Sequence, residues 1–221
     1  MKAFYRFAHT MIIVVLKTLF QFRVHGQENL PRRAAIIAAN HQSYIDPPAI
    51  GVATSEEIFY LAREDVFKFA PFRRLCLRLN TILIRKRRAD RSALRAVLGK
   101  LAEGRKVLVF PEGTRSYDGE LQAPEHGISL LAQRSRAAVV PTYVSGTFRV
   151  LPRGRKMVHF HPISVSFGPP LRFDAPSLRD GTRAAYETFS QRVMDAIARL
   201  KANREGRPGP RPSAHSSSHV S

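Results

Sequence analysis

The sequence predicts an α/β fold in which helices flank a mostly parallel sheet. Three observations carry that prediction. Short apolar runs that read as strands alternate with longer segments of helical periodicity, the pattern of strand–helix–strand units. The run Ala34 to Ala39 (AAIIAA) is apolar without alternation, as a strand covered on both faces must be. Finally, 221 residues with 44% hydrophobic composition suffice for one domain with a full core.

Met1 to Phe22 is apolar and aromatic but interrupted by Lys2, Arg6, His9 and Lys17. Its longest uncharged apolar run, Met11 to Leu16, falls far short of the ~20 residues of a spanning helix, and no small-residue cleavage site follows. The mixture suits an amphipathic helix lying in a bilayer interface, with simple packing on the domain as the plainer alternative and a signal-anchor span as a third. Phe22 to His25 reads as a short strand and Gly26 to Pro31 as a turn. Asn40 to Pro48 is a loop, with Asp46 a helix N-cap and Pro47 at the first helical position. Ile58 to Ala62 is a strand. Val66 to Leu79 is helical but bent or delayed by Pro71, and Thr81 to Ile84 is a strand.

Ser92 to Leu101 places Ala93, Leu94, Val97, Leu98 and Leu101 on one helical face, and Gly104 ends it. Lys106 to Phe110 is a strand stopped by Pro111. His126 to Arg136 is helical, Ala138 to Val144 a strand, Met157 to Phe167 extended, and Thr182 to Lys201 a long amphipathic helix. From Ala202 the chain is rich in Pro, Gly, Ser and Arg, a composition that does not fold alone. The organisation expected is a membrane-associating helix over 1–22, a catalytic domain over 23–201 and a disordered basic tail over 202–221.

The single cysteine, Cys76, permits no internal disulfide, which fits a reducing compartment, and its apolar helical neighbours mark it as core. Net charge is +19, and fourteen basic against four acidic residues fall between Arg63 and Lys106. Such a field attracts nucleic acid, anionic headgroups or phosphorylated metabolites, and charge alone does not choose among them. A nucleic-acid-binding domain rests on charge alone, because the basic stretch lacks interleaved stacking aromatics. No Gly-x-Ser-x-Gly elbow, Walker pattern or dinucleotide glycine pattern occurs. His159 and His161 share a strand face but no third ligand is evident, so no metal is expected.

In open α/β sheets, sites form beyond the carboxyl ends of strands. Three segments sit there: Asn40 to Asp46, Phe110 to Ser116 and Pro141 to Gly146. A histidine followed five residues later by an aspartate, His41 and Asp46, forms a base with its orienter if the loop curls; an exposed histidine beside a capping aspartate is the bland alternative. After Phe110-Pro111, Gly113 lets backbone N–H groups converge on an anion. Arg115 offers a bidentate grip, the Thr114 and Ser116 hydroxyls add donors, and Glu112 either accepts from a polyol hydroxyl or holds Arg115. A plain surface turn explains this segment equally well when taken alone. Of the run Arg85-Lys86-Arg87-Arg88, Arg85 stands at a strand end and is the one to point into a site.

Taken in order, these segments resemble the 1-acylglycerol-3-phosphate (lysophosphatidate) acyltransferase family of glycerolipid acyltransferases, from about Val24 to Gly168. Its His-x4-Asp block is Asn40-His41-Gln42-Ser43-Tyr44-Ile45-Asp46, and its second block looks like Thr81-Ile82-Leu83-Ile84-Arg85. Its third, Phe-Pro-Glu-Gly-Thr-Arg-Ser, stands complete at 110–116, and its fourth looks like Val139-Val140-Pro141 with Gly146 closing it. The resemblance implies acyl transfer from acyl-CoA or acyl-carrier protein to the free hydroxyl of 1-acylglycerol-3-phosphate, with no cofactor and no acyl-enzyme. His41 would be the base and Asp46 its orienter. Arg85, Glu112, Gly113, Thr114 and Arg115 would hold the glycerol phosphate, and Pro141 would shape a wall. It also implies membrane lipids as partners, at the cytoplasmic face of the cell membrane. Two departures bear on the acceptor: Asn80 stands where a glycine is expected, and Pro124-Glu125-His126-Gly127 replaces a Phe-Lys-x-Gly stretch. Another lysolipid, such as a lyso-ornithine lipid, a lysophospholipid or glycerol-3-phosphate, is the alternative acceptor, and a non-catalytic membrane scaffold is the alternative role.

Overall fold

The computed structural model describes residues 2–66, 69–84, 91–155, 157–174 and 183–206. Seven strands form one sheet in the order β1-β7-β6-β2-β5-β3-β4. They are β1 (Arg23–His25), β2 (Ala35–Ala39), β3 (Ile58–Arg63), β4 (Thr81–Ile84), β5 (Lys106–Val109), β6 (Ala138–Ser145) and β7 (Ser164–Phe167). β2 to β6 run parallel, while β7 pairs antiparallel with β6 and carries β1 parallel to itself. The carboxyl ends of β2, β3, β4, β5 and β6 therefore share one edge.

Strand alternation divides the core into two layers. Ile37 and Ala39 of β2 face one cluster with Leu108, Val140 and Val165; Ile36 and Ala38 face the other with Val107, Val109 and Val139. The first cluster is closed by α1 (Ala3–Leu19) and α2 (Asp46–Ala53), the second by α4 (Arg91–Ala102), α5 (Gly127–Ser135) and α7 (Arg183–Glu205). This is the sandwich the sequence predicted, and the all-buried β2 lies between its parallel neighbours β5 and β6.

α1 lies along the sheet rather than projecting from it. At its start, the Tyr5 and Tyr60 hydroxyls are 3.0 Å apart. At its end, the Phe20 carbonyl accepts from the Ile163 N–H at 2.9 Å, with Leu16 and Phe20 in the core. Gly51 of α2 is required by this dock, because a Cβ there would sit 2.0 Å from the Tyr60 oxygen. By length and composition Ala3–Phe20 is apolar enough to cross a membrane, a criterion the sequence reading judged unmet because of the interrupting cations.

Other boundaries also differ from expectation. α3 (Ala70–Arg78) starts late, with a proline in its first turn, as Pro71 foretold. A four-residue helix, α6 (Thr147–Val150), follows β6 unannounced. Only Ser164–Phe167 of the extended stretch from Met157 becomes a strand, because the β6 partner positions begin at Ser145 opposite Ser164. α7 passes the expected limit at Lys201 and ends at Glu205, where Gly206 takes φ 67°. Ala202 is buried there, and Glu205 accepts from the Tyr143 hydroxyl at 3.2 Å, so tertiary contacts keep helical what composition assigned to the tail. The remainder of that tail, 207–221, lies outside the described residues.

Pro141 stands inside β6, opposite Ala38 of β2. Val139 bonds to Leu171 through both its N–H and its carbonyl, and two residues on, the Pro141 carbonyl accepts from the Gly168 N–H at 2.8 Å. The proline nitrogen thus faces away from β2, so no bond of the β2–β6 ladder is forfeited.

Candidate active site

Two loops leave adjacent strands at the carboxyl edge and lock together. β2 runs into Asn40, whose side-chain amide bonds both ways with Val144 of β6: Nδ2 to the carbonyl at 3.0 Å, and the Val144 N–H to Oδ1 at 2.7 Å. That splice fixes the start of the 40–46 loop. The loop then curls so that Asp46, fully buried, turns back on it. One carboxylate oxygen, Oδ2, accepts from the Gln42 N–H at 2.6 Å, the Ser43 N–H at 2.7 Å and His41 Nδ1 at 2.9 Å. The expected N-cap role is therefore corrected. Asp46 is the first residue of α2, preceded by Ile45 in the cap position, and its carboxylate serves the loop behind it instead of the helix ahead.

The donation to Asp46 fixes the tautomer of His41: Nδ1 carries the hydrogen, leaving Nε2 with the lone pair. The ring is 17% exposed at its side chain and stacks on Phe110, with centroids 3.9 Å apart and planes 12° from parallel. Both backbone groups of His41 are tied to the second loop. Its N–H donates to Glu112 Oε1 at 3.3 Å, and its carbonyl accepts from the Ser116 N–H at 2.8 Å.

Glu112 thus does not hold Arg115, one of the two roles the sequence offered; its Oε1 holds the His41 backbone, and Oε2 is buried without a partner among the described residues. Burial pushes its carboxyl up to about 7, against the opposing pull of donors from His41 and Gln122, while the Asp46 charge adds to the rise. Gly113 takes φ 66°, and its N–H closes a turn onto the Phe110 carbonyl at 3.1 Å, so that N–H is engaged within the loop. A Cβ at Gly113 would lie 2.4 Å from a Glu125 carboxylate oxygen, which places an acidic group against this turn. Ser116 is likewise internal: its hydroxyl donates to Asp118 Oδ1 at 2.8 Å and accepts from the Gly119 N–H at 3.0 Å.

Arg115 spreads its guanidinium over the Tyr44 ring at 3.5 Å. Arg153, beyond α6, donates through Nη1 to Thr114 Oγ1 at 3.1 Å and to the Arg115 carbonyl at 2.5 Å, while its guanidinium covers Tyr117 at 3.7 Å. Accepting from Arg153 leaves the Thr114 hydroxyl hydrogen available to donate. The structure thus gathers His41, Asp46, Glu112, Gly113, Thr114 and Arg115 at one place. Pro141 lies below them within the sheet, three positions along β2–β6 register from His41, and Arg85 lies outside the described residues, just past the end of β4. Tyr44, Phe110 and Arg153 were missed as contributors. The first two sit inside the motifs already singled out; Arg153 had no signal, being 38 positions from Arg115. Among the described residues, no group of three or more His, Cys, Asp or Glu side chains could hold a metal ion.

The sequence model of the family named Acyltransferase matches residues 21–145, more than half of the chain and all of the His41 and 110–116 loops. This chain belongs to the Acyltransferase family. Among curated members, the 1-acyl-sn-glycerol-3-phosphate acyltransferase of Bacillus subtilis is 24% identical over 201 residues, spanning 89% of this chain and 98% of that one. The chloroplastic 1-acyl-sn-glycerol-3-phosphate acyltransferase of Arabidopsis thaliana is 29% identical over 147 residues, 64% of this chain but 41% of that protein. The chain thus spans less than half the length of that plant acyltransferase. The crystal structure of the 1-acyl-sn-glycerophosphate acyltransferase from Thermotoga maritima superposes with a TM-score of 0.73 at 24% identity, covering 93% of this chain and 81% of that one, and shares its fold.

Proposed function

We propose that this acyltransferase moves a fatty acyl group from acyl-CoA or acyl-carrier protein to the free hydroxyl of 1-acylglycerol-3-phosphate, giving phosphatidate. The observation that carries the reading is the His41 Nδ1 to Asp46 Oδ2 contact at 2.9 Å, beside the Arg115 loop. His41 Nε2 takes the proton of the acceptor hydroxyl as its oxygen attacks the thioester carbonyl. The resulting imidazolium is stabilised by the Asp46 carboxylate. Collapse of the tetrahedral adduct breaks the C–S bond, and Nε2 returns the proton to the departing thiolate. The acyl group passes directly between substrates. Arg115 and Thr114, with Arg85, grip the phosphate. Gly113 shapes the turn that carries them, Glu112 holds the base in register, and Pro141 supports the floor through β6. The chemistry needs no cofactor or metal.

The domain division follows the same reading: the N-terminal helix associates with the membrane, on its cytoplasmic face, and the sandwich carries the chemistry. A second acceptor class is favoured by one observation. The Glu125 carboxylate against Gly113 suits a lysolipid carrying an amine, such as a lyso-ornithine lipid, at the point where a phosphate-binding cation would otherwise stand. A panel of lysolipid acceptors assayed for thiol release tests both. Lysophosphatidate should support release, and His41→Ala should reduce it by at least about 10³-fold with the fold intact by circular dichroism. An active His41→Ala protein, or silence with every acceptor, would defeat the proposal.

A further inference from the structure

The apolar surface of this protein extends well past α1. Phe7 on α1 is 65% exposed, Phe69 at the start of α3 is 68% exposed and Phe160 is 75% exposed. Large apolar side chains in this state on three elements are unusual for a surface that meets only water. The elements are contiguous. The Arg78 guanidinium at the end of α3 lies 5.9 Å above the Phe4 ring at the start of α1. The Phe160 and Phe20 rings, beyond the other end of α1, are 5.9 Å apart. Because α1 runs from the amino edge of the sheet, at Glu57 and Tyr60, to its carboxyl edge, at Ile163, this surface spans the height of the domain.

We infer that α3 and the 157–160 segment are two further membrane contacts, which flank α1 and seat the domain on an anionic bilayer surface. The inference rests on the reading of α1 as interfacial and goes beyond it, because it fixes how the domain is oriented. Charge chooses the occupant. None of the α3 residues is buried, and its nine residues carry Arg73, Arg74 and Arg78 with no acid, Arg73 being paired with Glu64 ahead of the helix at 3.6 Å. On α1, Arg6 and Lys17 flank the face of the exposed Phe4, Phe7, Met11 and Val14. Apolar side chains enter the acyl boundary while long cationic ones reach back to the headgroups, the pattern of an interfacial rather than a protein-facing surface.

The 157–160 segment also connects the membrane to the chemistry. The His159 N–H donates to the Val150 carbonyl at 2.9 Å, and the next carbonyl, of Leu151, accepts from the Ser43 hydroxyl at 2.8 Å. Ser43 is one of the residues whose N–H holds Asp46. The mouth of the site is thereby set close to the bilayer surface, where a lysolipid acceptor arrives with its chain still immersed.

The test uses the full chain with phosphatidylcholine vesicles, with and without phosphatidylglycerol, read by sedimentation in the absence of substrate. Two pairs of substitutions, Phe69→Ser/Leu75→Ser and Met157→Ser/Val158→Ser, alter exposed positions and leave Phe20 and Phe160 in contact. Each pair should weaken partitioning by about tenfold, and phosphatidylglycerol should strengthen binding of the parent chain. Thiol release from detergent-dispersed substrate should match the parent, and unchanged urea midpoints certify the fold. Parental partitioning by both pairs would overturn the inference. So would self-association abolished by these pairs with vesicle binding unchanged, because a second copy of the chain would then cover the surface. Vesicle binding is read without turnover, so a failure of the catalytic proposal leaves a distinct signature: no thiol release, with partitioning intact.

Discussion

Asp46→Asn isolates what the buried carboxylate contributes. In the parent chain Oδ2 accepts from three donors, while Oδ1 is buried without a partner among the described residues. An asparagine must keep its carbonyl oxygen at the Oδ2 position, because an NH2 group there would confront two backbone N–H groups and His41. The amide nitrogen then occupies the Oδ1 position, where its hydrogens meet no acceptor, at a cost of about 1–3 kcal/mol. Each of the three retained bonds also loses its charge assistance, worth on the order of 1 kcal/mol apiece, and relief from burying a charge offsets part of that. Net destabilisation should be about 2 kcal/mol, read as a shift in the urea unfolding midpoint. The His41 tautomer survives, so the rate suffers only from weaker support of the imidazolium. A loss of about 1–2 kcal/mol there corresponds to about 5–30-fold in kcat for thiol release. A protein as stable and active as the parent would refute this account. A loss as deep as that of His41→Ala would show that Asp46 does more than steer the ring.

Arg153→Ala removes the brace on Thr114 and the Arg115 carbonyl; KM for lysophosphatidate should rise about 5–10-fold with kcat little changed, and Arg153→Lys should restore it only in part, since an ammonium cannot stack on Tyr117 while bridging both acceptors. An unchanged KM would remove Arg153 from the phosphate clamp. Glu112→Gln probes the raised carboxyl. With a folded value of about 7 above the ordinary 4.5, the protonated form is favoured by folding, so its stabilisation is full below pH 4.5 and is lost as pH rises through 7. Urea unfolding across that window should show the parent weakening relative to Glu112→Gln by about 3 kcal/mol; parallel curves would contradict it.

Local sequence recorded the central strands well. The Ala35–Ala39 strand had to be covered on both faces because no polar residue interrupts it, whereas β5 and β6 are buried nearly throughout although they carry Lys106, Thr142 and Ser145. The His41 and Asp46 spacing suggested a pair, but the direction of the carboxylate was not legible, because helix capping and loop stabilisation use the same residue type in the same place. Glu112 shows the same limit: a glutamate between proline and glycine could serve a ligand or a backbone, and only the packed geometry shows it on the His41 N–H. Arg153 was invisible because its partners are carbonyl and hydroxyl groups brought near by β6 and α6. The end of α7 was misplaced because the contacts of Ala202 and Glu205 are tertiary. Charge was legible in amount and less so in placement. Within the basic stretch, Lys106 is buried on Glu56, Lys100 pairs with Glu103, Arg63 with Asp65 and Arg73 with Glu64, so part of that excess is neutralised at home.

Two bonds of the His41 main chain, its N–H to the Glu112 carboxylate and its carbonyl from the Ser116 N–H, make the 40–46 and 110–116 loops a single tile. Neither can slide relative to the other without breaking a bond between adjacent strand ends. Under the proposed mechanism, variation in acceptor preference would fall outside that tile, on residues such as Glu125 and Arg153. A lineage could exchange headgroups there repeatedly while the distance between base and clamp stays fixed.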